Sequence, residues 1–216
     1  MNIDASRGAL RVAAAGGLGF DLLYVVHRLL QGFGPDDASP AGIAAYSAAH
    51  RGRLLGSEVA LGLALFAFVG LIAGLTPVVR TAGQDVLATA VAVTGAVFVA
   101  LGFLSQAAET ALTNVSDPSA VLALNQLQGR TPNVWAITAL TAVMSSAAWR
   151  TRLVPKWLAI AGFVAAGVFA LGAFFSVFGR EVEGNSSLFG VGLFVVWLFV
   201  VAVFLLRGSS EAREEQ

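Results

Sequence analysis

Six long apolar stretches, parted by short polar segments, account for most of the chain. Three of them, 57–75, 86–104 and 188–206, carry at most one acid each over about 19 positions, the length that crosses about 30 Å of hydrocarbon at 1.5 Å per residue. The pattern predicts helices at 10–31, 54–76, 85–112, 133–150, 156–179 and 187–207. A barrel strand would alternate apolar and polar residues. The run 193–206, LFVVWLFVVAVFLL, is apolar on every face, so helices alone fit.

Thr76-Pro77 predicts a stop for the second span, and Pro155 a start for the fifth at a first-turn position. Two connections are long enough to hold structure of their own. Residues 39–52 begin with Ser39 as N-cap and Pro40 in the first turn. Residues 116–129 repeat this with Asp117 and Pro118 and close on Gly129 as a C-cap. Val121, Leu124 and Leu127 give the second segment one apolar face. Both read as short extracytoplasmic helices lying in the interface. The resulting fold class is all-α: a single polytopic membrane domain over 1–216.

Composition strengthens this picture. Hydrophobic residues make up 57% and charged residues only 12%, half of what a soluble domain carries on average. The 13 basic and 13 acidic residues balance, which leaves no basic stripe for nucleic acid. Cysteine is absent, which excludes disulfides and thiolate metal sites. Arginine outnumbers lysine twelve to one, a bias that suggests a GC-rich bacterial genome. Asp21, His27 and Arg28 inside or at the end of the first run argue against a cleaved leader and for a retained span.

Basic residues set the orientation. With the N-terminus cytoplasmic, that side holds Arg7, Arg11, Arg80, Arg150, Arg152, Lys156, Arg207 and Arg213. The other side holds Arg51, Arg53, Arg130 and Arg180, with Arg28 at its boundary. Both termini are therefore expected inside, at a bacterial cytoplasmic (inner) membrane. Trp135, Trp149, Trp157 and Tyr46 fall near span ends, where amphipathic rings suit the headgroup layer. Trp197 falls mid-span and is expected against lipid or a neighbouring helix.

Two stretches carry a resemblance. SPAGIAAYSAAHRGRLLGSEV at 39–59 and LVPKWLAIAGFVAA at 153–166 resemble an uncharacterised family of bacterial integral membrane proteins with a domain-of-unknown-function label. The resemblance implies a six-helix membrane protein and supplies no catalytic residues.

Ionisable groups inside spans are the candidate site. Burying one costs about 2.5–3.5 kcal/mol even on insertion scales. In the first span, nine Val, Leu and Phe residues between 12 and 30 return roughly 4 kcal/mol in all, which Asp21 alone nearly cancels. Gly17, Asp21, Tyr24 and Arg28 recur at helical spacing on one face, and Gly16 and Gly17 permit close helix approach. Gly102, Gln106, Glu109 and Thr113 form a matching face on the third span, and Glu58 lies one turn into the second. Alternating topology brings Tyr24, His27, Arg28, Glu58, Gln106 and Glu109 to the outer side, with Arg28 expected to bridge Glu58 or Glu109. Asp21 is expected to pair with another helix. This outer cluster is the candidate ligand site, and its competing role is to staple the first three spans.

Other chemistry has little support. His27 and His50 are the only histidines, no HExxH is present, and both adjoin arginines, which disfavours a metal. GNSS at 184–187 reads as a loop without a nucleophile elbow. Thr138, Thr141 and Ser145 read as helix-facing hydroxyls, and Gly162, Ala166 and Gly167 as packing positions. No phosphate-binding glycine loop and no P-loop appear, which excludes ATP-driven transport by this chain alone, and no cofactor is expected. No span is expected to contain an interior proline, which weakens a transport reading. Three classes remain: a protein that binds or passes a small solute, ion or lipid; an accessory or structural subunit; and an intramembrane enzyme using Asp21, Glu58, Glu109 and the histidines. Membrane lipids are the expected surroundings. A second copy or a partner membrane protein is left open.

Overall fold

A computed structural model describes residues 3–32, 34–35, 39–130, 133–177 and 185–211, with side chains for 7–32, 34–35, 39–127, 133–174 and 191–208. The described residues form eight helices and no strand: α1 (Ile3–Gln31), α2 (Pro40–Ala49), α3 (Arg51–Thr81), α4 (Asp85–Leu112), α5 (Pro118–Arg130), α6 (Asn133–Thr151), α7 (Lys156–Val177) and α8 (Asn185–Glu211). Five segments are long and apolar enough to cross a membrane: Arg7–Gln31, Arg51–Thr81, Asp85–Leu112, Lys156–Phe174 and Val191–Gly208. These mark the chain as membrane-embedded. Their outward faces present large apolar side chains such as Leu22, Leu29, Phe66, Val164 and Val196, an exposure that suits lipid and would be an association hazard in water.

The fourth expected span forms a helix, α6, but it is not among those five. Its hydroxyls lower its hydropathy, and two of them face inward. Thr141 and Ser145 are fully buried, and Thr141 Oγ1 donates to the Ile137 carbonyl within the helix, 2.6 Å away.

Along the α1–α3 seam the two helix backbones approach each other closely. A Cβ placed on Gly16 would meet backbone atoms of Ala67, Gly70 and Leu71, and one on Gly74 would meet the backbone of Ala9 and Ala13. Only glycine lets the two backbones come this near. Gly17 lies between α8 and α3: a Cβ there would stand 2.9 Å from Ala202 Cβ and 3.7 Å from Leu71 Cδ1. Further along, Phe20, Phe68, Phe98 and Phe194 interlock α1, α3, α4 and α8, with ring centroids 4.9–6.3 Å apart in mostly edge-on or tilted pairs. Trp197 is buried and donates from Nε1 to the Leu158 carbonyl, 2.9 Å away, which joins α8 to α7.

One expected stop is overturned. α3 does not end at Thr76-Pro77; it carries Pro77 within its last turns and runs on to Thr81. It follows that an interior proline does occur, although it lies near a helix end. Two effects outweigh the proline. Val78 and Val79 are buried in the core, so continuing the helix places them there. The true stop lies beyond: Gly83 takes a left-handed φ of 75°, its N–H bonds to the Arg80 carbonyl at 2.9 Å, and Gln84 N–H bonds to the Val79 carbonyl at 3.3 Å. Pro155 immediately precedes α7, and its carbonyl accepts from Leu158 N–H at 3.0 Å.

The two short helices form where their caps place them. Ser39 Oγ accepts from Gly42 N–H at 3.1 Å, and Asp117 Oδ2 accepts from Ala120 N–H at 2.9 Å. They meet through Ile43 and Val121, which bury together with Leu112 at the end of α4. The helix α5 continues through Gly129 to Arg130, one residue past the expected cap. Likewise α8 begins at Asn185, so most of GNSS is helical, while Gly184 and the tail beyond Glu211 lie outside the described residues.

Candidate functional site

The ends of α1 and α4 and the start of α3 meet beneath the α2–α5 pair. At the α1–α3 contact, His27 Nδ1 lies 2.8 Å from Ser57 Oγ and 3.1 Å from the Ser57 carbonyl. Ser57 Oγ donates in turn to the His27 carbonyl at 3.0 Å. The serine's only proton is used there, so the ring donates from Nδ1. His27, Ser57 and Glu58 are all buried.

At the α3–α4 contact, Gln106 Nε2 donates to the Glu58 carbonyl at 2.5 Å. Gly62, one turn further into α3, makes room for that amide: a Cβ there would stand 2.8 Å from Gln106 Nε2. The carboxyls of Glu58 and Glu109 come close enough to interact across the α3–α4 contact. Like charges so placed would repel if both were ionised. Glu58 Oε2 is buried without a hydrogen-bond partner.

The α1–α4 link runs through a residue that sequence reasoning did not single out. Gln31 Nε2 donates to both Glu109 oxygens, at 3.2 and 3.1 Å. Gln31 Oε1 accepts from Arg28 Nη1. Arg28 therefore reaches Glu109 through an amide relay, and the direct bridge expected from Arg28 to Glu58 or Glu109 is corrected accordingly. The relay wins because Gln31 lies one turn from Arg28 on its own helix, so the pair forms with little ordering. Tyr24 is half-buried, stacked on Phe20 at 5.7 Å and tilted against His27 at 5.6 Å. Above, Tyr46 of α2 donates to the Gln31 carbonyl at 3.3 Å and accepts from Arg53 Nη2 at 2.7 Å. Arg51 donates to Asn114 at 2.6 Å, which ties the start of α3 to the turn after α4.

Six of the seven candidate residues thus come together: Tyr24, His27, Arg28, Glu58, Gln106 and Glu109. Asp21 does not join them. It is 4% exposed, and neither carboxyl oxygen has a hydrogen-bond partner, which corrects the expected pairing with another helix. Ser57 and Gln31 were missed. Each is an ordinary polar residue at a helix end, and only the register between helices gives it a partner. His50 stays apart, bonded at Nδ1 to the Tyr46 carbonyl at 3.0 Å. Among the described residues, no three histidine or acidic side chains are grouped to hold a metal.

An all-helical, membrane-embedded bundle with a polar cluster at one end is the class these features define. Residues 9–208 match the family described as Domain of unknown function (DUF4386), and the chain belongs to that family. No curated protein and no solved structure matches it.

Proposed function

We propose that the protein crosses a bacterial inner membrane six times, with α6 as the sixth span, and binds a small polar solute or headgroup in the outer cluster. The observation that carries this reading is Glu58 Oε2, a buried oxygen without a hydrogen-bond partner beside the hydrogen-bonded Gln106, Gln31 and Glu109. A buried polar atom left unmatched costs about 1–3 kcal/mol, so a ligand with a complementary group gains by meeting it. Arg28, Gln31, Tyr24 and Glu109 are only partly buried and offer charge and hydrogen bonds on the approach. At 19 residues, α6 is about 28 Å long, enough to cross the hydrocarbon, and its packing against α4 and α7 shields its hydroxyls. Six crossings place both termini on the side richer in short-loop arginines. The groups above the cluster, α2 and α5, then lie at the extracytoplasmic interface.

A structural role is the second reading, favoured by the reciprocal His27–Ser57 bonds, which join two helices without needing a ligand. Native mass spectrometry of the wild type and of Glu58→Gln separates the two. A retained small molecule that is lost in a folded Glu58→Gln protein supports binding. An empty wild type whose stability falls in the variant supports the structural role.

A further inference from the structure

Asp21 stands apart from the outer cluster and raises a question of its own. The seam register pairs His27 with Ser57 and Gly16 with Ala67–Leu71, so Asp21 falls level with residues near Ala64, about 9 Å along the axis from His27. On the other side, Gly17 packs against Ala202 and Phe20 against Phe194, so α8 runs beside α1 up to the depth of Asp21. The elements packed there offer no cation at its depth. On α3 the charged residues are Arg51, Arg53, Glu58 and Arg80, all toward the helix ends; on the described side chains of α8 there is only Arg207; on α4 there are Asp85 and Glu109. Within α1, Arg7 and Arg11 lie ten or more residues to one side, and His27 and Arg28 six and seven to the other. An ionised carboxylate enclosed in this way, with neither oxygen hydrogen-bonded, is a state that proteins avoid. The neutral acid leaves far less to compensate.

We propose that Asp21 is a proton-binding site within the membrane, its carboxyl held as the neutral acid in the α1–α3–α8 seam. The ligand is a single proton on one carboxyl oxygen, and the site is separate from the Glu58–Glu109 pair. It does not depend on whether the outer cluster binds a solute.

Infrared spectroscopy of the full-length protein in lipid vesicles at neutral pH tests this directly. The wild type is compared with Asp21→Asn and with Glu58→Gln, which removes one carboxyl of the outer Glu58–Glu109 pair. The expected result is a carboxylic-acid C=O band component that is lost in Asp21→Asn and kept in Glu58→Gln. Identical acid bands in wild type and Asp21→Asn overturn the proposal. Failure of Asp21→Asn to fold overturns it too, because the amide is neutral and nearly the same shape as the protonated acid.

Discussion

His27 on α1 and Ser57 on α3 hold each other from both ends: the imidazole donates to the serine, and the serine hydroxyl donates back to the histidine's own carbonyl. The pair sits where the glycine-lined seam reaches the polar end of the bundle. It therefore fixes the depth at which Glu58, the next residue of α3, meets α4.

Ser57→Ala removes both hydroxyl contacts and leaves His27 Nδ1 only the Ser57 carbonyl, 3.1 Å away. We expect a loss of about 1–2 kcal/mol, read as a lower thermal midpoint in detergent. An unchanged midpoint would mean that packing alone sets the seam.

The glycines make a sharper contrast. Gly16→Ala drives a Cβ to 2.6 Å from the Ala67 carbonyl oxygen and 2.8 Å from the Gly70 carbonyl carbon, both backbone atoms that cannot swing away. The two helices must separate, at an expected cost of about 1–3 kcal/mol or more. Gly167→Ala on α7 meets nothing within 4 Å and exchanges a poor helix former for the best one. Its stability should hold or rise slightly. Equal behaviour of the two variants in a thermal melt would contradict the close approach of α1 and α3.

Much of this architecture is legible in the chain because hydrocarbon demands long uninterrupted runs. The described bounds of α4 coincide with the expected 85–112, and Ser39 and Asp117 cap the short helices as their positions predict. Where reading failed, the missing quantity was inter-helix register. Gln31 and Ser57 are unremarkable until α1 and α3 are aligned; only then does one meet Glu109 and the other His27. Asp21 failed differently. Its burial cost predicts a partner, yet a carboxyl can also shed that cost by staying neutral, and composition does not distinguish the two. Pro77 failed because the burial of Val78 and Val79 outweighs one lost backbone bond.

Pro77 leads to a prediction of opposite sign. It is exposed, so replacing it opens no cavity. Pro77→Ala restores the N–H that can bond to the Ala73 carbonyl and relieves the ring against that turn. Part of the gain is offset by about 0.4–1 kcal/mol of added unfolded-chain entropy. The net expectation is a modest rise in midpoint, with stronger amide-exchange protection through Val78–Thr81. A lower midpoint would assign the proline a packing role that its exposure does not suggest.

Acidification should loosen α5 before the spans. The Ser119 hydroxyl, and after it the Ala120 N–H, hold the Asp117 carboxyl below its ordinary value. A depressed acid helps the folded form above the unfolded value, about 3.9, and that help is lost as pH falls through the folded value. Amide protection at Ala120 and Val121 should drop below about pH 4 in the wild type. In Asp117→Ala it should be low throughout, with no acid-dependent step. Protection that ignores both acid and the substitution would show that the contact with Ile43 holds α5 unaided.

The Arg28–Gln31–Glu109 relay predicts non-additivity. If the arginine acts on the carboxylate through the amide, Gln31→Leu breaks the chain at its centre, at about 1.5–3 kcal/mol for hydrogen bonds to charged groups. Arg28→Leu then removes a group already disconnected, so the double variant should be little worse than Gln31→Leu alone. Independent contributions would instead sum. A double-mutant cycle on thermal or denaturant stability distinguishes these outcomes. Additive losses would mean that Arg28 supports the fold by another contact, and that the outer cluster is two adjoining pairs rather than one connected network.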